Sequence, residues 1–275
     1  MKNWLAWGLL CAVAMGGLLT APTLAQFNQP LLTRITAAGG ACAGSVWSPT
    51  DKNTNVTLST TTCANDTATV PSGATTGSWW MVRGTQTYNT STSNKKVFTV
   101  KVQAACCSGY GWFAGVDDGT QSLTASAFPG NGTHSYGFQT SDTAGGGGVG
   151  IYQDGASSTI GGCAMGAGGT SSPLIFPVGS TAWIAVDFSA NKLYCSANCQ
   201  QWLWGASGTV PNQVPNTNGN PDNGSNPSAT LSASNNYRPA WAGNATSPAT
   251  NTVIINTTPL PNATCQNITG FSNWG

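Results

Sequence analysis

Beyond its first two dozen residues the chain shows almost no helical periodicity. It consists of short runs rich in Val, Ile, Thr, Phe, Tyr and Trp, separated by Gly, Asn, Asp and Pro. β-Branched and aromatic residues suit a pleated, half-buried surface, and the separating residues favour turns. Many short strands punctuated in this way predict an all-β sandwich or barrel. Strands are predicted over 56–59, 68–70, 79–82, 96–103, 111–116, 134–139, 149–152, 182–187, 192–196 and 252–256. The run from Lys96 to Gln103 alternates, with Val97, Thr99, Lys101 and Gln103 on one face and Phe98, Val100 and Val102 on the other. Ala182-Trp183-Ile184-Ala185-Val186 is apolar throughout, which predicts a central strand covered on both faces.

Residues 1–25 read as a secretory signal. Lys2 supplies the positive start, an apolar stretch from Leu5 to Leu19 follows, and Ala21-Pro22-Thr23-Leu24-Ala25 forms a small-residue exit. The apolar run is short for a spanning helix, so export to an extracellular or periplasmic space is expected. Residues 26–46 form a lead-in, 47–260 the folded domain, and 261–275 a C-terminal tail. Gly145 to Gly148 and the stretch from Gly161 to Gly169 read as loops. Residues 205–236, dominated by Asn, Pro, Gly and Ser, read as an extended surface insertion with little to bury.

Charge is scarce, at 6% of positions, and glutamate is absent. Glycosidases and hydrolases need two or three titratable groups with separated pKa values, and this chain has little to build them from. Loss of Lys2 with the signal leaves eight basic against eight acidic residues, so attraction to nucleic acid or to an anionic membrane is not expected. Solubility must come from Asn, Thr, Ser and Gly.

Of nine cysteines, Cys11 lies in the signal, leaving Cys42, Cys63, Cys106, Cys107, Cys163, Cys195, Cys199 and Cys265. An even number in an exported chain predicts disulfides, with roughly a hundred possible connectivities. Pairing of Cys195 with Cys199 across a tight bend is one expectation. Adjacent Cys106 and Cys107 should take different partners, because successive strand side chains point to opposite faces. A metal site using Cys195, Cys199 and the single histidine, His134, is the rival, but a second close ligand pair is lacking. No metal or cofactor is implied.

Taken in order, several segments resemble a SPRY domain, particularly the type found in bacterial and phage surface proteins. Trp47-Ser48-Pro49 with Asn55-Val56-Thr57-Leu58-Ser59 resembles the family's opening. Trp112-Phe113-Ala114-Gly115-Val116 and His134-Ser135-Tyr136-Gly137-Phe138 resemble two central strands. The stretches from Val178 to Phe188 and from Lys192 to Cys199, then Pro239-Ala240-Trp241 with Val253-Ile254-Ile255-Asn256, resemble the closing strands. Thr99, Ser180 and Cys199 depart from the pattern, the last replacing a turn glycine. The resemblance implies two antiparallel sheets in a concanavalin-like sandwich, with binding carried by loops at one end and no shared catalytic constellation.

Exposed aromatics are the chief binding candidates: Trp80, Tyr110, Trp202 and Trp204, with flat apolar faces and one polar handle each. Trp79 and Trp80 face opposite ways along a strand, so at least one belongs to the core; Trp112 should pack inside. Trp202 and Trp204 share one face beside the polar insertion. Asp117-Asp118-Gly119 reads as a turn rather than a calcium loop. Nine Asn-x-Ser/Thr sequons occur, at Asn55, Asn65, Asn89, Asn131, Asn223, Asn244, Asn256, Asn262 and Asn267, most of them expected by chance in so polar a chain, and the place of Asn256 in a predicted strand argues against reading all nine as sites. The reading is a secreted, non-catalytic module that binds a glycan or a surface protein. The alternative is a self-associating protein of a surface layer or filament. A concanavalin-like glycan-cleaving enzyme is disfavoured by the missing glutamates.

Overall fold

The computed structural model describes residues 44–60, 65–72, 78–89, 91, 94–104, 112–124, 126–140, 150–161, 178–196, 199–204, 216–233, 235–244 and 250–275. All belong to one compact unit, Ala41–Gly275. The first nine strands are β1 (Trp47–Lys52), β2 (Thr57–Leu58), β3 (Thr67–Val70), β4 (Trp79–Gly84), β5 (Tyr88–Asn89), β6 (Lys95–Ala104), β7 (Trp112–Asp117), β8 (Ser135–Thr140) and β9 (Gly150–Gln153). The rest are β10 (Ala156–Gly161), β11 (Thr181–Asp187), β12 (Lys192–Ser196), β13 (Trp202–Trp204), β14 (Asn216–Gly219), β15 (Ala229–Thr230), β16 (Asn236–Asn244), β17 (Asn251–Asn256) and β18 (Ser272–Asn273). Every strand predicted from the sequence is present within a residue or two at its ends.

The strands form two sheets. The first runs β1-β4-β16-β7-β8-β9-β10, with β5 also pairing β16; the second runs β14-β13-β12-β11-β6-β17-β3-β2, with β15 and β18 added to β12 and β6. Pairing is antiparallel except for β18, which lies parallel to β6. Between the sheets, Trp47, Val82, Trp112, Val116, Tyr136, Phe138 and Trp241 of the first meet Phe98, Val100, Ile184, Val186, Leu193 and Ile255 of the second. Among the described residues, Trp47, Trp112, Trp202, Trp241 and Trp274 are fully buried. These aromatic residues build the interior rather than the surface.

The alternation read from β6 holds: Phe98, Val100 and Val102 enter the main core, while Lys101 and Gln103 are exposed. Strand β11 lies between β6 and β12, with Ala182, Ile184 and Val186 in the main core and Trp183 and Ala185 in a second cluster on the opposite face. That second cluster explains the uninterrupted apolar run, because both faces of β11 are covered.

Three expectations are corrected. Residues 216–233 are not an extended excursion: β14 and β15 pair with the second sheet, and Ala229 and Leu231 are buried in the main core. Residues 261–275 are not a tail. They form a strap over the outer face of the second sheet, where Leu260, Cys265, Ile268 and Phe271 pack with Trp183, Tyr194 and Trp202. At its end Trp274 re-enters the main core and donates Nε1–H to the Gln86 carbonyl at 3.2 Å. The third concerns the cysteines. Cys199 is bonded to Cys265, and Cys195 is disulfide-bonded in its own right, so the two do not pair. Cys195 points into the main core and Cys199 into the outer cluster, so the sheet itself separates them. The same bonds take Cys195 and Cys199 out of the zinc site considered with His134. Cys42, Cys63, Cys106, Cys107 and Cys163, the signal segment, the run from Gly145 to Gly148 and the second glycine-rich run after Gly161 lie outside the described residues.

Candidate functional site

Four ionic side chains, Asp51, Arg83, Asp117 and Arg238, meet in one network at one end of the first sheet. Arg83 closes the polar end of β4, Asp117 ends β7 and Arg238 stands opposite it on β16. Arg83 is 2% exposed. Its Nε donates to Asp117 Oδ1 at 2.5 Å, Nη1 to Asp51 Oδ1 at 2.8 Å and Nη2 to the Gln121 carbonyl at 2.5 Å. Arg238 Nη1 reaches the other Asp51 oxygen at 2.6 Å. A buried guanidinium is tolerable only when its donors are matched by charge and carbonyl oxygens, as here.

This network anchors the loop from Asp118 to His134, which folds back over the outer face of the first sheet. Asn53 Nδ2 donates to the Leu123 carbonyl at 2.6 Å, Ala127 N to the Trp79 carbonyl at 2.9 Å, and Gly130 N to Ser135 Oγ at 2.8 Å. Phe128 stacks on Phe113 with ring centroids 4.1 Å apart. Beneath the loop, Gly115 and Gly137 sit side by side. A Cβ on Gly137 would stand 2.2 Å from the Pro129 carbonyl oxygen, so glycine is what lets the loop lie on the sheet.

At the loop's end, His134 adopts a left-handed backbone with φ of 53°, just before β8 rather than inside it. Its N–H donates to Asp154 Oδ1 at 2.9 Å, and Nδ1 lies 3.1 Å from Asp118 Oδ2. Tyr136 carries its hydroxyl to the Asp154 carboxylate at 3.1 Å and accepts the Ser232 N–H at 2.8 Å. Tyr237 donates to the Ser232 carbonyl at 2.9 Å. Burial raises the pKa of Tyr136, partly offset by its Ser232 bonds and reinforced by Asp154, so the phenol stays a donor. Asp117 and Asp118 accept N–H groups two residues on, from Gly119 at 2.8 Å and Thr120 at 2.9 Å, which confirms the turn.

The resulting surface holds the exposed Asp154 and Thr133, the half-buried His134, and Asp118 beneath it. No serine or cysteine hydrogen-bonds His134, so among the described contacts the pair lacks a nucleophile. Among the described residues no three His, Cys, Asp or Glu side chains are grouped for a metal. What the arrangement offers is a rigid set of carboxylate acceptors beside one imidazole.

The aromatic candidates fall elsewhere. Trp202 is fully buried and donates Nε1–H to the Gln266 carbonyl at 2.8 Å, fastening the strap. It is a structural residue, because its neighbour across the sheet is the strap that the sequence suggested was a tail. Trp80 is partly buried against the main core, and Trp79, on the opposite face, packs at 4.6 Å on Phe113. The side chain of Trp204 and the whole of Tyr110 lie outside what is described. Composition missed the ionic end altogether, and only the Asp117-Asp118-Gly119 signal touched it.

The described molecule is an all-β protein of two stacked, almost wholly antiparallel sheets. No family model and no curated protein sequence matches the chain. Among solved structures it is similar to the SPRY domain of human HERC1, with 11% identity and a TM-score of 0.43 over 76% of this chain and 96% of that one. It is also similar to the PSpry domain of TRIM65, with 11% identity and a TM-score of 0.44 over 78% of this chain and 89% of that one. Both are SPRY domains, the family that the sequence motifs resemble.

Proposed function

We propose that the chain is a secreted, non-catalytic binding module that recognises a glycan or a surface protein through the ionic end of its first sheet. The observation that carries this reading is the loop from Asp118 to His134. It is held by the buried Arg83 and by close packing over Gly137, and it presents His134, Asp118 and Asp154 together. Preorganised acceptors recognise hydroxyl and amide donors without an ordering cost at binding. Binding screens of the oxidised chain on arrays of glycans and of surface proteins test it, with a His134→Ala/Asp154→Ala variant alongside. Binding that this variant loses while Trp80→Ala retains it supports the ionic end; binding unchanged by the variant sinks it.

Self-association into a layer or filament draws on the near-zero net charge. Against it, β1 carries Pro49 and an irregular register, and β2 is two residues long, both of which blunt a sheet edge. Light scattering on dilute protein separates the readings: monomers favour the binding module, growing particles the assembly.

A further inference from the structure

The nine sequons look alike in sequence, but the fold sorts them. Asn244 is completely buried in β16. Asn89 donates Nδ2 to Asn236 Oδ1 at 2.8 Å across a strand pair. Asn89 Oδ1 also accepts Ser91 N at 3.0 Å and the Ser91 hydroxyl, and three others share that arrangement of the oxygen. Asn223 Oδ1 accepts Ser225 N at 3.0 Å and its hydroxyl at 2.5 Å. Asn256 Oδ1 accepts Thr258 N at 2.9 Å and its hydroxyl at 3.3 Å. Asn262 Oδ1 accepts Thr264 N at 2.9 Å and its hydroxyl at 2.7 Å. In each, the hydroxyl residue of the sequon holds the carboxamide oxygen and leaves Nδ2 as the free end. Asn223 and Asn256 are exposed and Asn262 half-buried.

The three also share a side of the molecule. Val253 and Ile255 of β17 face the core, so Asn256 faces outward from the second sheet. Asn262 lies in the strap across that same face. The loop of Asn223 is tied to the strap by Asp222, whose carboxylate accepts Thr269 N at 2.5 Å and its hydroxyl at 3.1 Å. His134 and Asp118 belong to the other sheet.

We propose that Asn223, Asn256 and Asn262 are N-glycosylation sites whose sugars cover the strap side of the sandwich. The donor is a polyprenyl-phosphate-linked oligosaccharide, supplied with its transferase by the export pathway. Nδ2 attacks the anomeric carbon and forms the C–N bond, while the C–O bond to phosphate breaks. Nδ2 gives up one proton and the polyprenyl phosphate departs. The inference rests on the export expected from residues 1–25 and is independent of what the ionic end binds.

The test is secretion of the full chain from a eukaryotic host, behind a host leader if its own does not direct export. Peptide-N-glycosidase F in heavy-oxygen water then marks each formerly glycosylated asparagine as a labelled aspartate for mass spectrometry. The expected result is label at Asn223, Asn256 and Asn262 and none at Asn244. Ser225→Ala, Thr258→Ala and Thr264→Ala should each abolish one site while the chain is still secreted. A secreted, folded chain bare at all three positions overturns the proposal, as does label at Asn244 equal to theirs.

Discussion

At the scale of single residues, the buried charges decide most. Asp117 Oδ2 has no partner among the described residues, so all its compensation comes through Oδ1, which meets Arg83 and the Gly119 N–H. Removing one member of such a pair strands the other charge. Asp117→Ala should therefore lower stability by about 3–5 kcal/mol, read by chemical denaturation. Arg83→Met with Asp117→Leu should recover much of that loss, since it leaves no buried charge. Tyr194 offers the opposite case: its hydroxyl is buried without a partner among the described residues. Tyr194→Phe should raise stability by about 1 kcal/mol. The sequence marked Asp117 only as a turn residue and Tyr194 not at all, because burial of a polar group is a property of the neighbours that surround it.

Two elements carry the architecture beyond the strands: the loop from Asp118 to His134 and the strap after Leu260. The first depends on close approach at Gly137. Gly137→Ala should push Pro129 off the sheet, shifting His134 and Asp118 signals in NMR spectra and weakening whatever the ionic end binds, with smaller effects on the far sheet. The second is pinned by Cys199–Cys265, which closes a separation of 66 residues. A Cys199→Ser/Cys265→Ser double variant should lose about 2–4 kcal/mol in denaturant titrations, and Trp274→Ala about 3–5 kcal/mol through its core cavity. The strands themselves were readable because period-2 alternation is local. The strap was not: its apolar residues, Leu260, Ile268, Phe271 and Trp274, are spaced too irregularly to form a pattern.

For the whole molecule, pH exposes how the fold treats its few ionisable groups. Burial pushes the Asp187 pKa up, but bonds from the Ser189 hydroxyl and Ala190 N–H, with Lys95 at 3.3 Å, outweigh it and leave the pKa lowered. A lowered carboxyl pKa contributes stability above the unfolded value of about 4, lost as pH falls through the folded one. Tyr136, Tyr152, Tyr194 and Tyr237 are all raised, chiefly by burial. Their contribution is complete below about pH 10 and is lost as pH rises through the folded values. Melting temperature should thus hold a plateau between about pH 4 and 10 and fall on both sides. Phenolate absorbance from the fully buried Tyr194 and Tyr237 should appear only together with unfolding; their titration near pH 10 in the folded state would contradict their burial.

The sequence by itself determined the all-β class, the positions of the strands, the covered faces of β6 and β11, and the scarcity of catalytic groups. These follow from side-chain preferences and a two-residue period, both of which act over a few neighbours. Tertiary structure alone decided that Trp202 fastens a strap, that Cys199 bonds Cys265, that Asn244 is shut away, and that Asp51, Arg83, Asp117 and Arg238 share one network. Each of those facts joins residues far apart in the chain, and only the register and stacking of two sheets bring them within reach of one another.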